Sequence, residues 1–239
     1  MIGRSTRLSR YVTGLDKTYT ATARFGAVSD TLDANGEVTP LAAPMPGENT
    51  ISAALPDLTG GLLQVPPMAS ALKRDGVRLY DLRRRGVTVE RESRPVTVHA
   101  LELVAVDREN QTATFEISCS SGTYVRTLIA DLAVHLGTGA YLTALRRNRV
   151  GHLPVEKAVD PDDLTPLTIH NHIIQMTRVV AHLPRVEVEG EEERAVRSGR
   201  ALPAQGLEGS FRVECAGTLL GVYRDGAGLA SAEVVLCAG

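Results

Sequence analysis

The stretch that most constrains the fold of this chain spans residues 117–137, ISCSSGTYVRTLIADLAVHLG. It begins at the end of a predicted strand, in which apolar and polar side chains alternate with the period of two that a half-buried strand requires. A Ser-Ser-Gly turn follows, and then a helix. Five apolar residues recur at three- and four-residue spacing on one face of this helix: Val125, Leu128, Ile129, Leu132 and Leu136. We expect Ser121 or Thr123 to cap the helix and Gly137 to end it.

Tyr124 and Arg126 fall in the first turn of this predicted helix. Free backbone N–H groups and the helix dipole favour an anion at that place. Arginine can hold a carboxylate or a phosphate there through two parallel hydrogen bonds. Taken alone, however, the segment is more typical of an ordinary capped helix with a solvated arginine, because strand–turn–helix units are common.

The composition is that of a soluble globular protein without bulk charge for binding nucleic acid. Hydrophobic residues make up 43%, charged residues 23%, and the net charge is -2. A nucleic-acid partner therefore requires a local basic cluster. The three widely spaced cysteines, Cys119, Cys215 and Cys237, indicate a reduced setting rather than disulfides or a zinc site. Neither a membrane span nor a signal-peptide pattern is found, so we expect a cytoplasmic protein.

Basic residues do cluster locally. A run of arginines at residues 83–85 ends a helix predicted over residues 77–85, and a second cluster lies in a predicted strand or turn over residues 141–150. Such runs suit phosphate contacts, although arginines at a helix end also complement its dipole.

Three further arginines, at positions 4, 7 and 10, share one face of a short predicted N-terminal helix. They fit a solvated helix end and a phosphate-facing patch equally well.

The order of elements predicts an α/β chain of the α+β type, with a mixed, largely antiparallel sheet and flanking helices. Residues 17–25 alternate cleanly and predict a strand, while residues 95–106 and 112–118 predict an antiparallel pair. From residue 184 onward, short strands separated by Gly-rich turns predict a small β-rich module. This change of character gives a domain boundary near residue 183.

Side chains near the first strand are open to two interpretations. Tyr19 is either a core tyrosine or a ring that stacks on a ligand. Asp30 and Asp33 resemble a general acid/base pair, but in a polar loop before the Asn35-Gly36 hairpin signal such residues are more often turn-formers.

Taken together, these segments carry a family resemblance. The chain resembles the TruB family of tRNA pseudouridine synthases over most of its length. The matching segments run in family order: DKTYTATARFGAVSDTLDANGEV, QVPPMASALKRDGVRLYDLRRRGV, RPVTV, CSSGTYVRTLIADLAVHLGTGAYLTALRRNRVG and the closing β-rich module.

The resemblance implies a pseudouridine synthase catalytic domain over residues 1–183 and a PUA-like RNA-binding domain over residues 184–239. It implies an isomerase that breaks the C1′–N1 bond of a uridine in the T loop of tRNA, turns the base and rejoins it through C5. The partner would be the T-arm stem–loop of tRNA. The chemistry needs a carboxylate near the sugar, a base taken out of its stack and an aromatic face to receive it. No metal or other cofactor is implied, and we expect a monomer.

Residue by residue, the resemblance assigns Tyr19 to the active-site tyrosine that packs against the flipped base and is a candidate for removing the proton at C5. Arg126 matches the arginine that pairs with the catalytic carboxylate, Tyr124 lines the pocket, and Leu145 is an apolar pocket residue. Asp33 matches an acidic loop position near the RNA. The residues expected to contact RNA are Lys17, Asp33, Lys73, Arg83, Arg84, Arg146 and Arg147.

One family motif has no counterpart in the 239 residues. The family's catalytic aspartate lies in a Gly-x-Leu-Asp-Pro motif just before the first matched segment, so the sequence resembles a family member without its N-terminal part. We therefore expect the chain as given to be inactive, Arg126 to lack its anionic partner, and an apolar sheet edge to be exposed. The alternatives are a non-catalytic tRNA-binding or RNA-folding module and, with far less support, an unrelated enzyme for a small phosphorylated substrate.

Overall fold

The computed structural model describes residues 1–74 and 76–236, so that Cys237 lies outside the described residues. These described residues fall into two compact units, one within Leu15–Glu156 and the other within Met1–Gly14 and Lys157–Gly239. The predicted domain boundary near residue 183 stays a prediction about domain organisation.

The helices of the described residues are short. The α-helices are α1 (Ser9–Thr13), α2 (Glu48–Ala54), α3 (Leu79–Arg84), α4 (Val125–His135), α5 (Met176–Val179) and α6 (Gly190–Arg197). Segments of 3₁₀ helix accompany them at Gly3–Leu8, Leu55–Leu58, Val155–Lys157, Pro161–Asp163 and Ile169–His172.

The strands range from two residues to fourteen. They are β1 (Lys17–Phe25), β2 (Ala27–Ser29), β3 (Val38–Pro40), β4 (Gly60–Gln64), β5 (Lys73–Arg74), β6 (Val77–Arg78), β7 (Arg94–Asp107), β8 (Thr112–Cys119), β9 (Ala140–Val150), β10 (Leu153–Pro154), β11 (Arg185–Glu187), β12 (Leu202–Pro203), β13 (Ser210–Cys215), β14 (Thr218–Asp225) and β15 (Leu229–Val235).

The unit Leu15–Glu156 is built on a six-stranded sheet in the order β10-β9-β1-β8-β7-β4, with every neighbouring pair antiparallel. The predicted first strand and the predicted antiparallel pair are confirmed as β1, β7 and β8. Apolar side chains alternate along these strands, so one face of the sheet forms the core. At the edge, Leu63 of β4 is 74% exposed.

Helix α4 covers this core face. Leu128, Ile129 and Leu132 are fully buried and pack in one cluster with Ala21 of β1 and Phe115 of β8. The helical spacing of apolar residues in the sequence therefore predicted the buried face correctly.

Gly137 ends α4 as expected. Its φ of +72° is left-handed, a conformation that glycine adopts without a steric penalty. The helix predicted over residues 77–85 is shorter than expected. Val77 and Arg78 pair with Lys73 and Arg74 in a small hairpin, so α3 begins only at Leu79.

The second unit contains a five-stranded sheet in the order β11-β13-β14-β15-β12. Strand β11 is parallel to β13, and the other pairs are antiparallel. This confirms the β-rich C-terminal module, whose core includes Val196, Phe211 and Tyr223.

The N-terminal arginines belong to this second unit and bind the end of its last strand. Nη1 of Arg4 donates to the carbonyl of Leu236 at 3.1 Å, and Nη1 of Arg7 donates to the carbonyl of Val235 at 2.7 Å. Arg10 donates to the hydroxyl of its neighbour Tyr11 at 2.6 Å. The arginines are therefore exposed but tied to protein groups, which neither of the two sequence interpretations anticipated. Among the described residues, none of the helices combines the length and the hydropathy that crossing a membrane requires.

Candidate active site

Arg126 and Asp33 form an ion pair at the start of α4. Nη1 of Arg126 donates to Oδ2 of Asp33 at 2.6 Å and to the carbonyl of Thr31 at 3.2 Å, while Nη2 donates to the carbonyl of Ala69 at 2.7 Å. The side chains of Arg126 and Asp33 are 22% and 19% exposed. The prediction that Arg126 lacks an anionic partner is therefore wrong, because a loop far upstream in the sequence supplies a carboxylate.

The loop between β2 and β3 holds Asp33 in place. Oδ1 of Asp33 accepts hydrogen bonds from the Thr31 hydroxyl at 2.8 Å and from the Asn35 N–H at 3.0 Å. Backbone hydrogen bonds tie the loop to β9, since the Ala34 N–H donates to the Leu142 carbonyl at 2.9 Å. The turn-forming role expected of Asp33 is thus confirmed, and its second oxygen is left to bind Arg126.

The surroundings of Asp33 keep it ionised. Burial by itself raises the pKa of this carboxyl, but the Thr31 hydroxyl, the Asn35 N–H and the Arg126 guanidinium together hold the pKa below its ordinary value. Both carboxylate oxygens are engaged by donors, so Asp33 is a fixed counter-charge rather than an available nucleophile.

Tyr19 and Leu145 lie on the face of the sheet that α4 covers. Tyr19 is opposite Arg147, and Ala21 is opposite Leu145, so these side chains share the face of the buried Ala21. Tyr19 is half-buried at the margin of the core cluster, and Leu145 is 47% exposed. The two therefore form an aromatic and an apolar surface at the open side of the core.

Ionisable groups around Tyr19 affect one another. Burial raises the pKa of the Tyr19 phenol, the nearby Cys119 adds to that rise, and Arg147 opposes it. Burial and the neighbouring Arg147 lower the pKa of Lys17, whose Nζ donates to the Leu15 carbonyl at 2.5 Å. Tyr19 is consequently a neutral phenol at neutral pH.

Tyr124 is the N-cap residue of α4 rather than part of its first turn, and the predicted caps are wrong. Neither Ser121 nor Thr123 caps the helix; instead the Tyr124 N–H donates to Oε1 of Gln64 at 2.7 Å. Sequence reasoning missed Gln64. The only indication in the sequence was that Gln64, a polar residue, follows Leu62 by two positions. It therefore lies on the same inward-facing side of the apolar strand.

The remaining residues predicted to contact RNA are dispersed. Arg83 forms an ion pair with Asp30, on the same loop as Asp33. The Arg84 guanidinium lies 5.5 Å from the centre of the Tyr80 ring. Arg146 is exposed on β9 opposite Thr20, on the other face of the sheet from Arg147. Lys73 is exposed on β5.

A cavity of about 410 Å³ lies mainly on that other face, because most of its lining residues alternate with Tyr19 and Ile117. It contains the acidic residues Glu102 and Glu116, which are directly opposite each other on β7 and β8. Glu156 and Arg149 also line the cavity, so three carboxylates face one guanidinium, and this excess of negative charge disfavours phosphate. Within residues 1–74 and 76–236, no three His, Cys, Asp or Glu side chains are grouped so as to hold a metal ion.

Two family models together match the first 186 residues of the chain. Residues 1–125 match the TruB family pseudouridylate synthase (N terminal domain), and residues 126–186 match the tRNA pseudouridylate synthase B C-terminal domain. The chain belongs to the TruB family of pseudouridine synthases, which are isomerases.

Individual relatives and a solved structure agree with this assignment. The chain is 42% identical over 225 residues to tRNA pseudouridine synthase B of Aromatoleum aromaticum, covering 92% of this chain and 72% of the relative. It is 42% identical over 241 residues to tRNA pseudouridine synthase B of Burkholderia lata, covering 97% and 74%. The crystal structure of a Cbf5–Nop10–Gar1 complex has the same fold, with a TM-score of 0.72 at 19% identity over 99% of this chain and 71% of that one.

Proposed function

We propose that this chain carries the RNA-binding and site-forming residues of a tRNA pseudouridine synthase that acts on the T-loop uridine of tRNA. The observation that carries the proposal is the Arg126–Asp33 pair at the start of α4. Helix α4, which carries Arg126, packs on the sheet face to which Tyr19 and Leu145 belong, and a flipped base could be received there. Family membership and the names of the relatives support the substrate class.

Each site residue has a role in this proposal. Tyr19 packs against the flipped uracil and, once deprotonated, removes the proton at C5. Leu145 is the apolar wall of the pocket and Tyr124 lines it at the start of α4. Arg126 orients the family's catalytic carboxylate, and Asp33 holds Arg126 in position.

Basic residues provide the grip on the T-arm. Arg146 and Arg147 project from opposite faces of β9, and Lys17 lies on the neighbouring strand β1, opposite Val150. These three side chains can therefore follow a phosphate backbone along this part of the sheet. Lys73, Arg83 and Arg84 are proposed to contact a second stretch of backbone. The C-terminal β-rich module is proposed to be PUA-like and to bind RNA. We further propose a cytoplasmic monomer.

A second function, RNA binding without isomerisation, is favoured by the carboxylates that are present. The 239 residues contain no Gly-x-Leu-Asp-Pro motif. Both oxygens of Asp33 are engaged, and Asp30 is bound to Arg83. We therefore propose that the chain as given binds the T-arm but leaves its uridine unchanged.

The deciding experiment is incubation of the purified chain with an unmodified T-arm stem–loop, followed by mass spectrometry of derivatised nucleosides. We expect binding without pseudouridine from the 239 residues, and pseudouridine from a version extended upstream through an aspartate motif. Pseudouridine from the chain as given would contradict the assignment of the nucleophile, whereas no binding would contradict the RNA-binding proposal.

Arg147→Ala tests the proposed contact with the RNA backbone in the same assay. We expect it to weaken binding and to reduce the slope of log affinity against log salt by about one. Arg24→Ala is the matched control, since Arg24 is an exposed arginine at the far end of β1. Equal salt slopes for the two variants would remove Arg147 from the RNA contact.

A further inference from the structure

Gln64, the last residue of β4, is almost completely buried at the start of α4, with 3% of its surface exposed. Its Oε1 accepts from the Tyr124 N–H at 2.7 Å, and its Nε2 donates to the Tyr124 carbonyl at 3.2 Å. A primary amide carries both a strong acceptor and a donor without charge. One side chain thus binds both backbone groups of a residue 60 positions away.

Those two backbone groups determine where α4 begins. The Tyr124 N–H has no intrahelical acceptor, and the Tyr124 side chain forms no capping hydrogen bond. The Tyr124 carbonyl accepts the first hydrogen bond of the helix, from the Leu128 N–H at 3.0 Å. By holding both groups, Gln64 fixes the position and direction of the first turn, of which Arg126 is the second residue.

Gln64 is also linked to the other anchor of Arg126. Five residues after Gln64, the Ala69 carbonyl accepts from Nη2 of Arg126 at 2.7 Å. The intervening chain passes through a buried Pro-Pro pair, and proline fixes φ, so this span is stiff. Gln64, Tyr124, Arg126 and Ala69 therefore close a ring of hydrogen bonds and short chain segments.

We propose that Gln64 is a positioning residue for Arg126. Gln64 keeps the start of α4 and the Ala69 carbonyl at a fixed distance and orientation. It thereby orients the Arg126 guanidinium towards the site. The catalytic consequence rests on the proposed function of Arg126, whereas the geometric role does not.

Two variants and a control separate this role from general stability. Gln64→Met has a similar length and removes both hydrogen bonds. Gln64→Glu keeps an acceptor for the Tyr124 N–H but replaces the donor to the Tyr124 carbonyl by a second acceptor. It should therefore restore protection of the Tyr124 amide only in part. Phe115→Leu, a change at a fully buried position in the middle of β8, lowers stability through the apolar core and removes no hydrogen bond of Gln64.

The first measurement follows the Asp33 carboxyl by NMR titration in the 239-residue chain. We expect Gln64→Met to raise the Asp33 pKa toward its ordinary value and to speed exchange of the Tyr124 amide by about tenfold or more relative to Phe115→Leu. In the amide-exchange measurement, Gln64→Glu should lie between Gln64→Met and the wild type, because it keeps the acceptor for the Tyr124 N–H. An Asp33 titration in Gln64→Met that matches the wild type would overturn the inference.

The second measurement is the single-turnover rate of pseudouridine formation at saturating T-arm stem–loop, in a form of the protein that includes the family's aspartate motif. We expect Gln64→Met to lower the rate on the order of 100-fold, with the affinity for RNA unchanged, because displacement of a positioned group by about 1 Å has such an effect. An altered Asp33 titration with an unaltered rate would contradict the catalytic role proposed for Arg126 and leave the positioning by Gln64 standing.

Discussion

At the scale of single residues, Arg126 and Asp33 bring opposite charges together where each side chain is about four-fifths shielded from water. Shielding strengthens their attraction but also costs solvation of both ions. Hydrogen bonds from Thr31 and Asn35 to Asp33, and from Arg126 to the Ala69 carbonyl, offset that cost. The pair is therefore stable only as part of the whole network.

Asp33→Ala should destabilise the chain by about 1–3 kcal/mol, because it leaves a partly buried guanidinium without its charged acceptor. The free energy of unfolding from urea titration measures this effect. Asp30→Ala is the matched control, since it removes a carboxylate of the same loop from exposed contacts with Arg83 and the Glu37 N–H. It should change stability less than Asp33→Ala does. An equal loss of unfolding free energy in the two variants would show that burial does not strengthen the Arg126–Asp33 pair.

The same carboxylate predicts a pH dependence. The pKa of Asp33 lies below its ordinary value of about 3.9. The stabilisation by ionised Asp33 is thus complete when the pH lies above this ordinary value. It disappears as the pH falls through the lower pKa that Asp33 has in the folded state. The difference in free energy of unfolding between wild type and Asp33→Ala should be constant from pH 7 to about 5 and should shrink below about 4. A difference that grows on acidification would contradict this sign.

Tyr19 and Arg147 give a third prediction at this scale. Burial raises the pKa of Tyr19 and Arg147 opposes that rise, so Arg147→Met should raise the pKa further. The titration is followed by NMR of labelled tyrosine, with the Tyr19 signal assigned by Tyr19→Phe. Arg149→Met is the control, because Arg149 is opposite Thr18 on the other face of the sheet. A lower Tyr19 pKa in Arg147→Met would show that Arg147 does not stabilise the Tyr19 phenolate.

At the scale of elements, the residue that ends α4 contributes to stability, as the residues that hold its start do. Gly137 has φ +72° and open space around its missing Cβ, so Gly137→Ala should cost about 1 kcal/mol through backbone strain alone. Gly14→Ala is the control, with equally open space and a φ of −76°. Thermal or urea unfolding compares the two, and an equal effect would rule out the left-handed conformation as the cause.

At the scale of the whole molecule, the two ends of the described chain meet in one unit. Leu8 is fully buried in a cluster with Val222, Val234 and Leu236. Leu8→Ala should lower the stability of this unit by about 2–5 kcal/mol, measured as faster hydrogen exchange in β14 and β15. Ile2→Ala, at a position 71% exposed, should leave exchange unchanged. Unchanged hydrogen-exchange protection of β14 and β15 in Leu8→Ala would show that the N-terminal segment does not stabilise this sheet.

Most elements were predictable because local patterns express burial directly. The alternation in β1 and the stripe on α4 each follow from one buried face. The helix over residues 77–85 was overestimated, because pairing of Val77 with Arg74 is a contact that no periodicity reveals. The site residues came from the family resemblance rather than from periodicity, and their roles stay predictions.

The sequence by itself determined which faces are buried, where α4 ends and which family the chain resembles, because these properties depend on residues close together along the chain. Only the tertiary structure decided that Asp33 neutralises Arg126, that Gln64 rather than Ser121 or Thr123 holds the start of α4, and that Arg4 and Arg7 bind the last strand. Each of these contacts joins residues at least 60 positions apart. Side-chain hydrogen bonds over such separations leave no periodic trace, since they form only after the sheets have brought distant segments together.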